Sequence, residues 1–361
     1  MQNNQAIPIN KENFKQILSK EFALVIIFSI PGALIADYFD IPLAWFLGPM
    51  LITSIITLGG IKTKMPRLVL STVLIFLGLY IGNYIDKNLF SQIHQWFWTS
   101  LVMFFYIVIS VLIVSKYLQR FSGYGKNTSI FSAAPGALGP LLILAENEKS
   151  DISQVATSHL IRLIIIITVF PFFVNTFYDV ENTQIEKTIT ENQNIIHLFV
   201  LIALSIVLII LFDKLKIPAA LLSGTLVASG FLQITEIATY KLPINIIDFC
   251  LLILGSSVGC RFADKTFKEV AKNALHSFVA TFMLVLLGVI AAVVAGFFID
   301  KNFFTLLLSY CPGGIYEVAV IAIFFDLDPE FVSFHHIIRL LMILFFVPII
   351  LKIIHRNKKP T

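Results

Sequence analysis

The chain has 361 residues, of which 57% are hydrophobic, 13% are charged and 34 are phenylalanine; its mean hydropathy is +0.88. A soluble domain carries ~25% charged residues and could not cover this much apolar surface. A soluble enzyme, a disordered regulator and a nucleic-acid-binding domain are therefore excluded, and the net charge of +4, clustered in loops, reads as a membrane-orientation signal.

Residues 1–21 are polar and read as a cytoplasmic N-terminal segment. They carry no cleavable signal pattern, so the first apolar stretch is expected to stay as a membrane helix. Six apolar segments follow, at 22–36, 43–59, 68–85, 97–115, 128–145 and 154–177. An acidic linker at 179–194 is expected outside the cytoplasm. A second set runs at 196–212, 218–234, 244–262, 275–298, 303–325 and 331–351, before a basic tail at 352–361. The membrane parts are thus 22–178 and 195–351.

The two sets match when the chain is shifted by about 177 residues. "IPLAWFLGPML" at Ile41 answers "IPAALLSGTLV" at Ile217, and "APGALGPLLILA" at Ala134 answers "CPGGIYEVAVIA" at Cys311. One register aligns Pro135 with Pro312, Gly136 with Gly313, His159 with His336, Arg162 with Arg339 and Pro171 with Pro348. Apolar composition alone would not align His, Arg and Pro together.

Charge sets the topology. If the fifth segment of each half dips in and returns, each half has five crossings and the second is inverted. Of the 26 Lys and Arg, only Lys87, Lys187, Lys241 and Lys301 then lie outside, with Arg162 and Arg339 in the membrane. Twelve crossings separate the charges less well. The fifth segment suits a break because Pro135-Gly136 and Pro312-Gly313-Gly314 interrupt it. The expectation is an all-α polytopic membrane protein. It has two homologous halves in inverted repeat, about ten transmembrane helices and two broken or re-entrant ones.

Arg162 and Arg339 fall near the bilayer midplane, where each costs about 2.5–3.5 kcal/mol. His159 and His336 precede them by one turn and share their helix face; His335 adds a neighbour. Glu317 and Asp248 are acids without a counterpart in the first half. These residues, with the glycines and prolines of the breaks, are the candidate substrate- or ion-binding set. Half-helix N-termini would suit an anion, and the acids and histidines would exchange protons or hold a cation. The alternative is that each Arg is satisfied by a local carboxylate or by carbonyls at the break.

Other features have structural readings. Asp151 and Asp328 read as helix N-caps. The pairs Gly78/Gly82 and Gly255/Gly259 read as close helix packing. Trp45, Trp96 and Trp98 read as interface anchors. Cys250, Cys260 and Cys311 lack metal-ligand spacing and read as small apolar filler.

The chain resembles the AbrB family of multi-pass bacterial membrane proteins, built from a duplicated domain. "PGGIYEVA" at Pro312, "HHIIRLL" at His335 and "IPLAWFLGPML" at Ile41 carry the resemblance. The first half departs from it, reading "PGALGPL" and "SHLIR". The resemblance implies an inner-membrane protein with cytoplasmic termini, labelled a regulator of gene expression or ammonia-monooxygenase-like. No ligand cluster for copper or iron supports an oxygenase, and neither a cofactor nor direct DNA binding is expected. The leading expectation is a secondary transporter for a small, anionic solute coupled to H⁺ or Na⁺, as a monomer or homo-oligomer. The second is a membrane sensor that binds a ligand or partner without moving it. An intramembrane enzyme ranks third, because adjacent His335 and His336 point apart on a helix.

Overall fold

In the computed structural model, residues 16–83, 85, 89–136, 138–177, 195–217, 219–237 and 244–356 are described. The acidic linker, with Lys187, lies outside them, as do Lys87, Lys241 and the outer ends of the N-terminal segment and basic tail. Among the described residues every regular element is helical.

Among the described residues the first half holds the helices α1 (Lys20–Tyr38), α2 (Ala44–Leu58), α3 (Arg67–Gly82), α4 (Leu89–Phe121), α5 (Lys126–Ala133), α6 (Leu138–Asn147) and α7 (Ile152–Phe177). The second holds α8 (Ile195–Lys214), α9 (Ala220–Thr235), α10 (Ile244–Cys260), α11 (Phe267–Gly296), α12 (Phe303–Tyr310), α13 (Ile315–Phe324) and α14 (Pro329–Arg356). Each predicted segment is present, and the fifth of each half is split in two. Six helices, α1, α4, α7, α8, α11 and α14, are long and apolar enough to cross a membrane. The apolar helices α2, α3, α9 and α10 have 15 to 17 residues. At 1.5 Å per residue they are about 22–26 Å long, short of a ~30 Å hydrocarbon core.

The chain gathers into two compact units that cut across the sequence order. The first comprises Met1–Phe90, Pro171–Phe267 and Ala319–Glu330; the second comprises Ser91–Phe170, Lys268–Val318 and Phe331–Thr361. Each draws on both halves of the chain.

In the first unit, small residues set the helix spacing. Gly78 and Gly82 of α3 lie against Thr225, Ser229 and the carbonyls of Leu222 and Leu226 on α9. In the same manner, Gly255 and Gly259 of α10 lie against Phe46, Thr53 and Ser54 on α2. Lipid tails give helices no hydrophobic reason to associate, so close backbone contact and buried hydroxyl bonds do the work. Ser29 Oγ lies 2.6 Å from Ser256 Oγ and 3.2 Å from Thr53 Oγ1, tying α1, α10 and α2 together. Leu43 and Ala219, each just before a helix, hold left-handed backbone at φ 55° and 54°. The outer faces are apolar, as at Phe199 and Val207 of α8, 66% and 59% exposed.

The second unit has a core of Val114, Leu118, Tyr124, Ala133, Ala280 and Leu284. Asp151 caps α7 as expected, its Oδ1 accepting from the Gln154 amide at 3.0 Å. Trp96 departs from the interface expectation: it is 4% exposed and packs on Phe331 and Phe334. Trp98 is 48% exposed.

A Cβ on Gly82 would lie 2.6 Å from the Leu226 carbonyl oxygen, whereas one on Gly296 meets only Leu306 at 3.5 Å. Gly82→Ala is therefore expected to cost about 1–3 kcal/mol, and Gly296→Ala to be neutral or stabilising. Thermal melts of the two variants in detergent check the contrast.

Candidate functional site

The two helix breaks begin with local chemistry. A residue before proline is driven out of the α region into extended backbone. Ala134 precedes Pro135 and adopts φ −60°, ψ 125°; Cys311 precedes Pro312 and adopts φ −58°, ψ 131°. Helices α5 and α12 must therefore end there. Past each proline a tight turn forms, with the Gly136 amide donating to Ala134 O at 3.1 Å and the Gly313 amide to Cys311 O at 2.8 Å. The glycines have different causes. Gly136 has φ 120°, which L side chains rarely adopt, whereas a Cβ at Gly314 would collide with the Glu317 carboxylate.

At each break the last carbonyls of a half-helix lose their helical amide partners, and Ala134 O, Leu308 O and Cys311 O keep only a tight-turn amide. The expected His-x-x-Arg faces supply the donors. On α7, His159 Nε2–H donates to Phe131 O at 2.9 Å and Arg162 Nη1 to Ala134 O at 2.7 Å. Arg162 Nη2 also donates to Ser132 O. On α14, His336 Nε2–H donates to Leu308 O at 3.0 Å. Arg339 donates from Nη1 to Cys311 O and from Nη2 to Gly313 O, the latter at 2.6 Å. The spacing explains the motif: side chains three apart on one helix meet carbonyls three apart on the other. His336 Nδ1 also accepts from Arg339 Nη2 at 2.9 Å, so its ring is neutral with the proton on Nε2.

His159, Arg162, His336 and Arg339 are at most 6% exposed. Among the described residues no carboxylate pairs with either guanidinium; both are held by backbone oxygens, at the negative ends of α5 and α12. Bonds to a charged donor are worth about 1.5–3 kcal/mol each, enough to offset the insertion cost of the arginines. The guanidiniums lie within electrostatic reach of each other and of Tyr106 on α4. Arg339 also touches the first break: a Cβ on Gly136 would lie 3.0 Å from its Nη2 and 3.2 Å from its Nε. The buried Arg162 Nε–H and Ser132 Oγ have no hydrogen-bond partner.

Glu317 is 1% exposed in the first turn of α13, and its carboxylate folds back over Gly314. The N-terminus of α13 thus already holds a carboxyl group, whereas α6 has no acid in its first turn. His335 turns away from Arg339, as adjacent helical positions must. Its Nδ1 meets Phe331 O at 2.9 Å, its Nε2 meets Thr99 Oγ1 at 2.8 Å, and its ring packs on Phe331.

The second unit therefore contains eleven of the expected residues: Pro135, Gly136, His159, Arg162, Pro312, Gly313, Gly314, Glu317, His335, His336 and Arg339. Asp248 belongs to the first unit. Sequence reasoning missed Tyr106, Ser132 and Thr99; a lone polar residue in an apolar run carries no signal of its partner. Among the described residues no three His, Cys, Asp or Glu side chains gather to hold a metal.

Removing the guanidinium strands the Ser132 carbonyl, at about 1–3 kcal/mol, and leaves Ala134 O with the Gly136 amide alone. Arg162→Met is expected to lower the unfolding temperature markedly, while Thr176→Val on the exposed part of α7 leaves it unchanged. Gly136→Ala is expected to destabilise through its positive φ and the crowding of Arg339. Circular dichroism melts check all three.

The sequence profile described as "Transition state regulatory protein AbrB" matches residues 1–86 and 45–355. The chain is 24% identical over 317 residues to "Putative regulator AbrB" of Escherichia coli (strain K12), covering 87% of this chain and 90% of that protein. It is 19% identical over 352 residues to "Uncharacterized protein YhjN" of Bacillus subtilis (strain 168), covering 91% of each. No solved structure matches.

Proposed function

The chain belongs to the AbrB family, and on that premise we propose that it is a secondary transporter for a small anion, seated at the first helix break. The observation that carries this is the pair of buried guanidiniums without a carboxylate, one with its Nε–H unspent. A buried donor on a cation is costly unless something accepts from it. Arg162 Nε, Ser132 Oγ and, beside Gly136, the Arg339 guanidinium bring donors to the first break. The start of α13 is a poorer site, because Glu317 fills it.

The architecture supports transport over an enzyme. Broken helices between duplicated halves are the usual seat of a transported solute. Matching carbonyl ladders at the two breaks, and matching glycine contacts of α3 on α9 and α10 on α2, favour an internal duplication. Loop charge favours inversion, ten crossings with α2, α3, α9 and α10 among them, and cytoplasmic termini in the inner membrane. Glu317 takes the proton or Na⁺ that couples transport. Any influence on gene expression is then indirect.

A second reading, a membrane sensor, is favoured by the name of the Escherichia coli relative, which calls it a regulator. The two readings differ in flux. Purified protein is screened by thermal shift against chloride, sulfate, phosphate and mono- and dicarboxylates, and the stabilising anion is then tested in proteoliposomes. Binding and flux that both disappear in Arg162→Gln, with Glu317→Gln abolishing only the pH or Na⁺ dependence, are the expected results. Binding without flux selects the sensor. Anion stabilisation that survives Arg162→Gln and Arg339→Gln would sink the site.

A further inference from the structure

The first unit has a pocket of its own, with an empty volume of about 490 Å³, open on one side. Its walls include Trp45 at the start of α2, Leu77 on α3, Leu251 on α10, and Val320 and Phe324 on α13. One charged side chain reaches it, that of Asp248 on α10. Asp248 is half-buried and makes no hydrogen bond or ion pair among the described residues, and the charge acting on it is that of Asp37, of like sign. An uncompensated carboxylate in apolar surroundings is expensive. Among the described residues no basic side chain lines the pocket to compensate it. Instead two aromatic residues, Trp45 and Phe324, share the lining with it.

We propose that this pocket binds an organic ammonium group carrying a short apolar chain. The chemistry is complementary on three counts. The carboxylate pairs with the cation, the indole and phenyl faces attract it through their ring quadrupoles, and the aliphatic remainder takes the chain. Alkali cations fit poorly, because a hard cation needs several oxygen ligands and the pocket offers a single carboxylate. An anion is repelled by Asp248 and Asp37. The ammonium has two sources, a free amine or a phosphatidylethanolamine headgroup. The pocket lies in the other unit from the arginine site, so either proposal can fail alone.

The test uses the full-length protein in detergent with hexylammonium, hexyltrimethylammonium, hexanoate and hexanol as probes, read by thermal shift. Both ammonium probes are expected to raise the melting temperature in a concentration-dependent way. Hexanoate and hexanol are expected not to, and Asp248→Asn is expected to abolish the shift. Equal stabilisation by hexanol, or an undiminished shift in Asp248→Asn, overturns the proposal. Should that variant not fold, Trp45→Leu serves, with hexyltrimethylammonium expected to bind about tenfold more weakly; unchanged affinity there also overturns it. The source is read from nanodiscs. Stabilisation by phosphatidylethanolamine over phosphatidylglycerol, lost in Asp248→Asn, assigns the ammonium to lipid, and stabilisation by the soluble amine alone assigns it to a free solute.

Discussion

A helix cannot stop inside a bilayer unless something accepts the hydrogen bonds it gives up, and water is not there to do so. This chain stops two helices, at Ala134 and Cys311, because proline follows each. The carbonyls so released are met by His159 and Arg162 on α7 and by His336 and Arg339 on α14. Each partner makes the other tolerable. The arginine would be prohibitive at that depth without acceptors, and the open helix end would be prohibitive without a donor. The clamps are alike in plan but not in detail. Arg339 also bonds His336 and approaches Gly136, whereas Arg162 keeps its Nε–H unspent. Function is assigned to Arg162, whose fully buried Nε–H finds no acceptor among the described residues.

The packing around the first unit obeys a different constraint. Apolar side chains gain little by leaving lipid for protein, so specificity comes from how closely backbones approach. Gly78, Gly82, Gly255 and Gly259 allow that approach, and Ser29, Thr53 and Ser256 add hydroxyl bonds between helices. Both compact units take segments from distant parts of the chain, so neither is complete until the second half has been made. Asp248 is the exception to this economy. It is a charge with no partner, set among apolar and aromatic walls, and it is explained by an occupant rather than by packing.

Much of this was legible in the sequence because it follows from rules local to the chain. Proline forces the residue before it into extended backbone, so the two breaks were written in Pro135 and Pro312. Side chains three apart share a helix face, so His159 and Arg162, like His336 and Arg339, had to look the same way. Charge in an apolar segment must face inward, and both arginines are buried. Glycines four apart predicted close helix contact, and Asp151 predicted a cap.

What the sequence could not determine is which groups from remote segments would meet. Nothing in the spelling of α5 says that its carbonyls, rather than a carboxylate, would take the guanidinium of α7, because backbone acceptors are present at every residue. Tryptophan at a segment edge suits an interface, but Trp96 is buried against Phe331, more than two hundred residues away in sequence. Asp248 and Glu317 looked alike as unduplicated acids; only folding separated them, placing one over a helix N-terminus and the other at an apolar pocket. Backbone conformation and side-chain direction are local and can be read along the chain. Partnership depends on how helices distant in sequence are brought together, and that was decided by the tertiary structure alone.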